Sequence, residues 1–227
     1  MRPILHPATV PYPLQQAVAN HSTNWNRFAG KAAVSAPLEV LQKGLCAYCQ
    51  IRLDSSIGSH IEHIWPKCPH TEKTFLWNNL VLSCTHSDAI RSTRNTGGVS
   101  CGHSDGKRDW SRHDSRFISP TESDCERYFE YQAGDGTVQP AVGLSAPDFE
   151  RSRFTIKLLN LNCRRLCRLR KDMLEEGYRI IAELMADTTA LGYFLDCELA
   201  EVSGKLPSFY TARQQHFQVF SPRDLTA

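Results

Sequence analysis

A glutamate followed directly by a histidine, Glu62-His63, is the part of this sequence best suited to catalysis. The pair lies in the segment IEHIWPK (61–67), and Asn79 and His103 follow it along the chain. An imidazole titrates near neutral pH and can act as a general base, while carboxylate oxygens bind hard divalent cations. The attack of water on a phosphodiester needs a base, a cation and aligned geometry. The pattern therefore indicates metal-dependent hydrolysis of a phosphodiester.

Each of these residues has one expected role. His63 is the expected general base, and Glu62 and His103 are the expected ligands of a catalytic Mg²⁺ or Mn²⁺ ion. Asn79 is expected to hold a loop and to orient His63. One assignment stays open, because His86 competes with His103 as the final ligand.

A further histidine, His60, precedes Glu62 by two residues. It could replace His63 as the base or contact a phosphate, but we interpret it as an outward-facing strand residue. His60-Ile61-Glu62 also matches the His-x-Glu start of zinc deaminases. The Pro-Cys-x-x-Cys segment that must follow in a deaminase is missing, so that reaction is not favoured.

Four cysteines flank this segment. Cys46 and Cys49 have the spacing with which a tight turn presents two sulfurs to one zinc ion, and Cys84 and Cys101 are the best candidates for the other two ligands. The alternative is that Cys84 is a buried apolar residue and Cys101 a free thiol. The chain has nine cysteines, an odd number, so complete pairing in disulfides is impossible. We predict a structural zinc site and interpret the others as core or incidental residues: Cys68, Cys125, Cys163, Cys167 and Cys197.

The composition is that of an ordinary globular protein. Apolar residues make up 41% of the 227 residues and charged residues 22%. The net charge is only +2, so any attraction for nucleic acid must be local. The first residues lack an apolar signal-peptide stretch, and no apolar run approaches the roughly 20 residues that span a membrane. We expect a cytoplasmic protein without a membrane partner.

The sequence pattern around these residues predicts both helices and strands, and therefore an α+β fold. A strand is expected over 59–64, a knuckle leading into a strand over 46–54, and a hairpin over 127–131 and 137–139 around Gly134-Asp135-Gly136. The segment 77–83 starts polar and then runs apolar. Helices are expected over 15–19, 37–43 (with Pro37 in the first turn), 154–185 (with Asn162 as an N-cap), 187–197 and 208–217, and a loop over 91–109. Three segments follow from this pattern: an N-terminal helical segment 1–44, a zinc-stapled core 45–117, and a C-terminal hairpin with helices 118–227.

Basic side chains flank the expected site. Arg91, Arg94, Lys107 and Arg108 are the candidate contacts to nucleic acid. Cations at these positions would bind phosphates, which gives affinity without reading a base sequence. The sequence therefore indicates neither DNA nor RNA in particular.

Together these residues resemble the HNH endonucleases, and in particular the HNH subunits of Septu and retron-type anti-phage defence systems. The resemblance rests on CAYC (46–49), IEH (61–63), WNNLVLSC (77–84), CGH (101–103) and LNLN (159–162). It implies a core of two strands and a helix around a metal ion, the ββα-metal core, with the four cysteines on structural zinc. It also implies His63 as base, Glu62 and His103 as metal ligands, and Asn79 as orienting residue.

In that family the nuclease works with an ATPase of the ABC/SMC-like kind, so the resemblance implies an ATPase partner. One departure is that Cys84 and Cys101 are far apart and that Gly102 separates Cys101 from His103. The alternative function is a catalytically inactive zinc-binding module that recruits a partner protein. That alternative is disfavoured by the presence of Glu62, His63 and Asn79, because a structural zinc site alone does not need these residues.

Overall fold

A computed structural model gives the fold. It describes residues 1–68, 70–95 and 98–220, without the side chains of residues 93 and 94. The described helices are α1 (Tyr12–Ala19), α2 (Lys31–Leu41), α3 (Ile90–Asn95), α4 (Asp105–Arg108), α5 (Ala146–Leu158), α6 (Arg164–Leu184), α7 (Thr188–Leu199) and α8 (Tyr210–Phe217). The described strands are β1 (Ser59–His63), β2 (Leu80–Cys84), β3 (Phe129–Tyr131) and β4 (Val138–Pro140). The predicted mixture of helices and small sheets is confirmed.

The sheet that positions the site consists of β1 and β2, which pair antiparallel with His63 opposite Leu80 and Ser59 opposite Cys84. Every residue of β2 is buried, whereas β1 is half-buried up to His63. Successive side chains of a strand point to opposite faces. His60 and Glu62 therefore share one face of β1, and His63 belongs to the other.

A buried glutamine fastens β2 to the end of α2. The Gln42 side-chain amide donates to the carbonyl oxygens of Leu45 at 2.7 Å and Leu82 at 2.9 Å. Its Oε1 accepts from the Leu82 backbone N–H at 2.7 Å. These bonds pair buried backbone groups that the sheet itself does not satisfy. They also fix where the Cys46 turn lies beside β2.

The C-terminal helices close over the same core. Gln50 accepts from the backbone N–H of Phe209 at 2.8 Å and donates through its side chain to the Thr211 hydroxyl at 2.7 Å. One hydrophobic cluster runs from Met1 to Ala212, so the three predicted segments pack around a shared core. A smaller cluster under α6, α7 and α8 contains Leu174, Ile181, Leu191, Leu195 and Phe217. None of the described helices is long and apolar enough to cross a membrane.

Several predicted boundaries are wrong for local reasons. Helix α2 begins at Lys31 instead of 37 and contains Pro37. The fully buried pair Val34 and Leu38, four residues apart, holds this helix against the core despite the backbone hydrogen bond that a proline lacks. The segment 91–109 is not all loop, because it contains most of α3 and all of α4.

The long predicted helix 154–185 is two helices. α5 ends at Leu158, and Asn160 adopts a left-handed conformation with φ 49°. α6 begins only after Cys163, which takes the N-cap position expected for Asn162. The Asn162 side chain instead bonds both the N–H and the carbonyl of Val138 at 2.8 Å, joining this break to the β3–β4 hairpin.

We expect Gln42→Leu to lower the free energy of unfolding by about 3 kcal/mol, because the Leu82 N–H and the Leu45 carbonyl lose a buried partner. Urea unfolding followed by circular dichroism measures this. Gln16→Leu is the matched control, since Gln16 is exposed and bonds only the Tyr12 hydroxyl. Equal midpoints for the two variants would contradict the role of Gln42.

Candidate functional site

Four cysteines from distant parts of the chain meet in the core. Cys46 and Cys49 lie in the turn after α2, Cys84 ends β2, and Cys101 begins a 3₁₀ turn that ends at His103. Their Sγ atoms all lie within 4.8 Å of one another, and the Cys49 and Cys84 sulfurs are 3.7 Å apart. A tetrahedral zinc site with bonds of about 2.3 Å has sulfur–sulfur edges of about 3.8 Å. The predicted grouping is confirmed, and the cluster could hold a structural metal ion such as zinc.

Backbone and side-chain bonds from α5 onward bring the fourth cysteine to the other three. The N–H of Cys101 donates to the Leu159 carbonyl at 2.7 Å, and the Asn160 side chain donates to the Val99 carbonyl at 2.8 Å. The N–H of Gly102 donates to the Ser83 hydroxyl at 3.0 Å. The left-handed turn at Asn160 thus helps to place Cys101 beside the other three cysteines, although a long segment separates it from Cys84.

A half-buried cation lies beside the cluster. Arg165 donates to the Ser100 hydroxyl at 3.3 Å, and its Nε atom is buried with no hydrogen-bond partner among the described residues. Burial works to lower the pKa of Arg165, but neighbouring cysteine sulfurs, Cys49 and Cys84 among them, outweigh burial and raise it. Four thiolates on a dication carry a net negative charge, which an arginine at this place offsets.

The catalytic candidates line a cavity of about 820 Å³ beside β1. Its walls include His60, Glu62, His63, His86, His103 and Lys107. The strand places Glu62 and His63 on opposite faces, yet both reach this cavity because β1 ends there. The structure therefore brings the Glu62 and His63 side chains to one cavity.

His63 is 6% exposed and held by a defined hydrogen bond. Its Nε2 lies 3.0 Å from the Thr74 carbonyl oxygen, which can only accept, so Nε2 carries the proton. Nδ1 has no hydrogen-bond partner among the described residues, and the Trp25 ring packs edge-on against the imidazole at 4.6 Å. Burial, followed by the charge of Lys67, lowers the pKa of His63 to about 4. The neutral ring keeps a lone pair on Nδ1.

Asn79 fixes the loop that holds His63. Its Oδ1 accepts from the Trp65 N–H at 2.7 Å, and its Nδ2 donates to the Lys73 carbonyl at 2.9 Å. The residue after Lys73 is Thr74, whose carbonyl oxygen accepts the hydrogen bond from His63 Nε2. Asn79 thus joins both ends of the loop over His63 without touching the ring through a hydrogen bond.

Lys107 is buried against the end of β1. Its Nζ lies 3.0 Å from the Glu62 Oε1 and donates to the carbonyls of His63 at 3.1 Å and Ile64 at 3.3 Å. Burial opposes ionisation of Glu62, but Lys107 and then His60 lower the pKa of Glu62 to about 2. The prediction of Lys107 as a surface contact to nucleic acid is wrong, because its side chain is 3% exposed and already bonded.

His60 is the site residue that the sequence interpretation missed. Its side chain is 14% exposed, so it does not face outward into solvent. Its Nδ1 bonds the Thr85 carbonyl at 2.8 Å, and its Nε2 lies 3.5 Å from the Glu62 Oε2. The His60 ring stacks on His103 with centroids 3.8 Å apart. The period of two along a strand could have revealed it, because a site that uses Glu62 includes the residue two positions before.

His103 and His86 differ in their surroundings. The His103 Nε2 is buried and has no hydrogen-bond partner within residues 1–68, 70–95 and 98–220, and burial, then the neighbouring His60, lowers the pKa of His103 to about 4. The His86 side chain is 56% exposed and lies 3.3 Å from Asp88. The geometry favours His103 as the residue that belongs with Glu62. Among the described residues, however, the four cysteines are the one group of three or more whose ligand atoms all lie within 4.8 Å, so no third such ligand joins Glu62 and His103 within that distance.

The other basic candidates with described side chains, Arg91 and Arg108, differ in their relation to the cavity. Arg108 lines the cavity and pairs with Asp105 at 3.0 Å. Arg91 is exposed on α3 and is not among the cavity residues, and the side chain of Arg94 lies outside the described part of the chain. Lys31 and Lys67 also line the cavity, which their positions in the sequence did not reveal.

No protein-family model and no curated protein matches this chain.

We expect Cys49→Ser to lose the bound metal and to unfold at a lower denaturant concentration, because three sulfurs no longer close a tetrahedral site. Zinc content by mass spectrometry and urea unfolding measure the two effects. Cys125→Ser is the matched control, since Cys125 is 0% exposed but lies outside the cluster. A stable Cys49→Ser protein that still folds without metal would refute the staple, as would a Cys49→Ser protein with one zinc per chain.

Proposed function

We propose that this chain is a metal-dependent endonuclease of the HNH kind, which hydrolyses phosphodiester bonds in nucleic acid with His63 as the general base. The observation that carries the proposal is the hydrogen bond from His63 Nε2 to the Thr74 carbonyl at 3.0 Å. It leaves the Nδ1 lone pair of the neutral ring without that bond, and His63 lines a cavity that also contains Glu62 and His103. A general base of this kind accelerates hydrolysis by roughly 10²- to 10⁴-fold.

The charges around the cavity support a phosphate substrate. Lys31, Lys67 and Arg108 line it, with Glu62 and Asp109 as carboxylates. The positive charge of Lys107 offsets the negative charge of Glu62, so this carboxylate does not dominate the electrostatic potential in the cavity. Cations at the mouth of a concave surface attract a polyanion and raise its local concentration. The overall net charge of +2 is compatible with such local attraction.

The donor set suits a divalent cation. Glu62 is ionised at neutral pH, and the His103 Nε2 is a buried nitrogen without a partner. A divalent cation bound between them would withdraw charge from the phosphate in the transition state. Glu62 and His103 would hold this cation, and His63 Nδ1 would accept the proton of the attacking water. Asn79 and Thr74 would keep the imidazole in that orientation.

The cysteine cluster supports this site mechanically. Cys84 ends the strand opposite β1, and Cys101 begins the turn that ends at His103. We propose zinc at the four cysteines, because four thiolates at tetrahedral spacing are the donor set of structural zinc. Zinc would fix His103 relative to Glu62. The catalytic ion would be Mg²⁺ or Mn²⁺.

The resemblance to Septu and retron-type HNH subunits extends the proposal to a biological role. In this role the chain is the effector of an anti-phage defence system and acts with an ABC/SMC-like ATPase. Cleavage assays therefore include the product of the neighbouring gene, since the ATPase would gate the nuclease.

We expect His63→Ala to reduce cleavage of plasmid DNA or RNA by at least about 100-fold, with folding and zinc content unchanged. The assay contains Mg²⁺ or Mn²⁺, with and without the ATPase. His86→Ala is the matched control, because His86 lines the same cavity but is largely exposed. Normal cleavage by His63→Ala would refute the base. A zinc-loaded wild type that cleaves neither polymer under any of these conditions would favour the inactive binding module.

We expect Asn79→Asp to lower kcat by roughly 100-fold while binding of uncleaved nucleic acid is retained, because a small displacement of the base is costly. The aspartate keeps the acceptor for Trp65 N–H and removes the donor to the Lys73 carbonyl. Single-turnover rates and binding titrations separate the two effects. A rate equal to that of the wild type would exclude Asn79 as a positioning residue.

A further inference from the structure

The His60 ring is oriented as a metal ligand would be. Its Nδ1 lies 2.8 Å from the Thr85 carbonyl oxygen, which can only accept, so Nδ1 carries the proton. In the neutral ring the lone pair is then on Nε2, and this atom is buried with no hydrogen-bond partner in the part of the chain that the structure describes. Metal-binding histidines typically donate their second nitrogen to a carbonyl or carboxylate in this way.

The unpartnered nitrogen faces a carboxylate oxygen. The Nε2 of His60 and the Oε2 of Glu62 are 3.5 Å apart. Two atoms at this separation form one edge of a coordination polyhedron with bonds of about 2.1 Å. Lys107 holds the other oxygen of Glu62 at 3.0 Å, so Oε2 is the oxygen left for a ligand.

Gly102 keeps the space between these two atoms open. A Cβ built on Gly102 would lie 2.6 Å from the His60 Nε2 and 2.7 Å from the Glu62 Oε2. The absence of a side chain at this position thus leaves room for an atom that contacts both. His103 follows Gly102 directly, and its own Nε2 is also buried without a partner.

We infer that His60 is a third ligand of the catalytic cation, together with Glu62 and His103, and that the site takes a transition-metal dication such as Mn²⁺. The inference rests on the proposed function, since it concerns the same ion. Two imidazoles and one carboxylate suit Mn²⁺ better than Mg²⁺, which prefers oxygen ligands. The His103 ring must move closer to complete the set, because the three ligand atoms do not all lie within 4.8 Å.

The test is Mn²⁺ binding by the zinc-loaded full chain, measured from the loss of the free-ion signal in electron paramagnetic resonance. We expect one Mn²⁺ per wild-type chain and at least a 10-fold weaker affinity in His60→Ala. Gly102→Ala retains every ligand and fills the space between them, and we expect the same loss. Circular dichroism and zinc content report whether each variant is folded. If His60→Ala does not fold, Gly102→Ala still tests the inference.

His63→Ala and His86→Ala are the controls, and both should bind Mn²⁺ as the wild type does. Unchanged affinity in folded His60→Ala or Gly102→Ala would overturn the role of His60 and leave the nuclease proposal standing. Weaker binding in both variants, with no cleavage by the wild type, would support the metal site and refute the nuclease. A Mg²⁺ affinity equal to the Mn²⁺ affinity would overturn the preference for a transition metal.

Discussion

The convergence of four cysteines is the constraint on which the rest of this structure depends. Cys46 and Cys49 come from the turn after α2, Cys84 from the end of β2, and Cys101 from the turn that leads to His103. The strand β2, which pairs with β1, and the turn that ends at His103 are therefore tied to the same point in the core. The spacing of the sulfurs allows one ion to replace many weak contacts, because metal binding at such a site is coupled directly to folding.

A second buried centre lies on the other side of the same strands. The ion pair between Lys107 and Glu62 removes two charges from water, which gives little net stability on its own. The lysine also bonds the carbonyls of His63 and Ile64, so it anchors α4 to the end of β1. The pair is better understood as a device that keeps Glu62 ionised inside the protein. An isolated carboxylate at this depth would take up a proton.

The sequence predicted those features that depend on local patterns. Two cysteines at a spacing of two residues identified the first half of the metal cluster, and alternating residues identified β1. Features that depend on distant packing were missed. Lys107 looked like a surface cation because nothing near it in sequence indicates that it packs under β1. The break between α5 and α6 was hidden because Asn160 is compatible with a helix, and only its bond to Val99 explains the turn.

The missed role of His60 has a different cause. The sequence showed the two-residue period that places His60 and Glu62 on the same face of the strand. It did not show that the His60 side chain is buried, and an outward histidine on a half-buried strand is common. The starting point of α2 was equally hidden, since Pro37 is typical of a helix start and less so of a helix interior. Contacts of Val34 and Leu38 with the core decide that boundary.

The bond network of Gln50 has a consequence for the order in which the chain is made. Gln50 lies in the Cys46 turn, and its partner Thr211 is 161 residues further along. Cys101 similarly depends on the Leu159 carbonyl. During synthesis on the ribosome, the four cysteines emerge long before the segments that hold their turns in place. The cysteine cluster therefore reaches its final form only when translation of the described chain is almost complete, and until then the cysteines are exposed to any metal or oxidant in their surroundings.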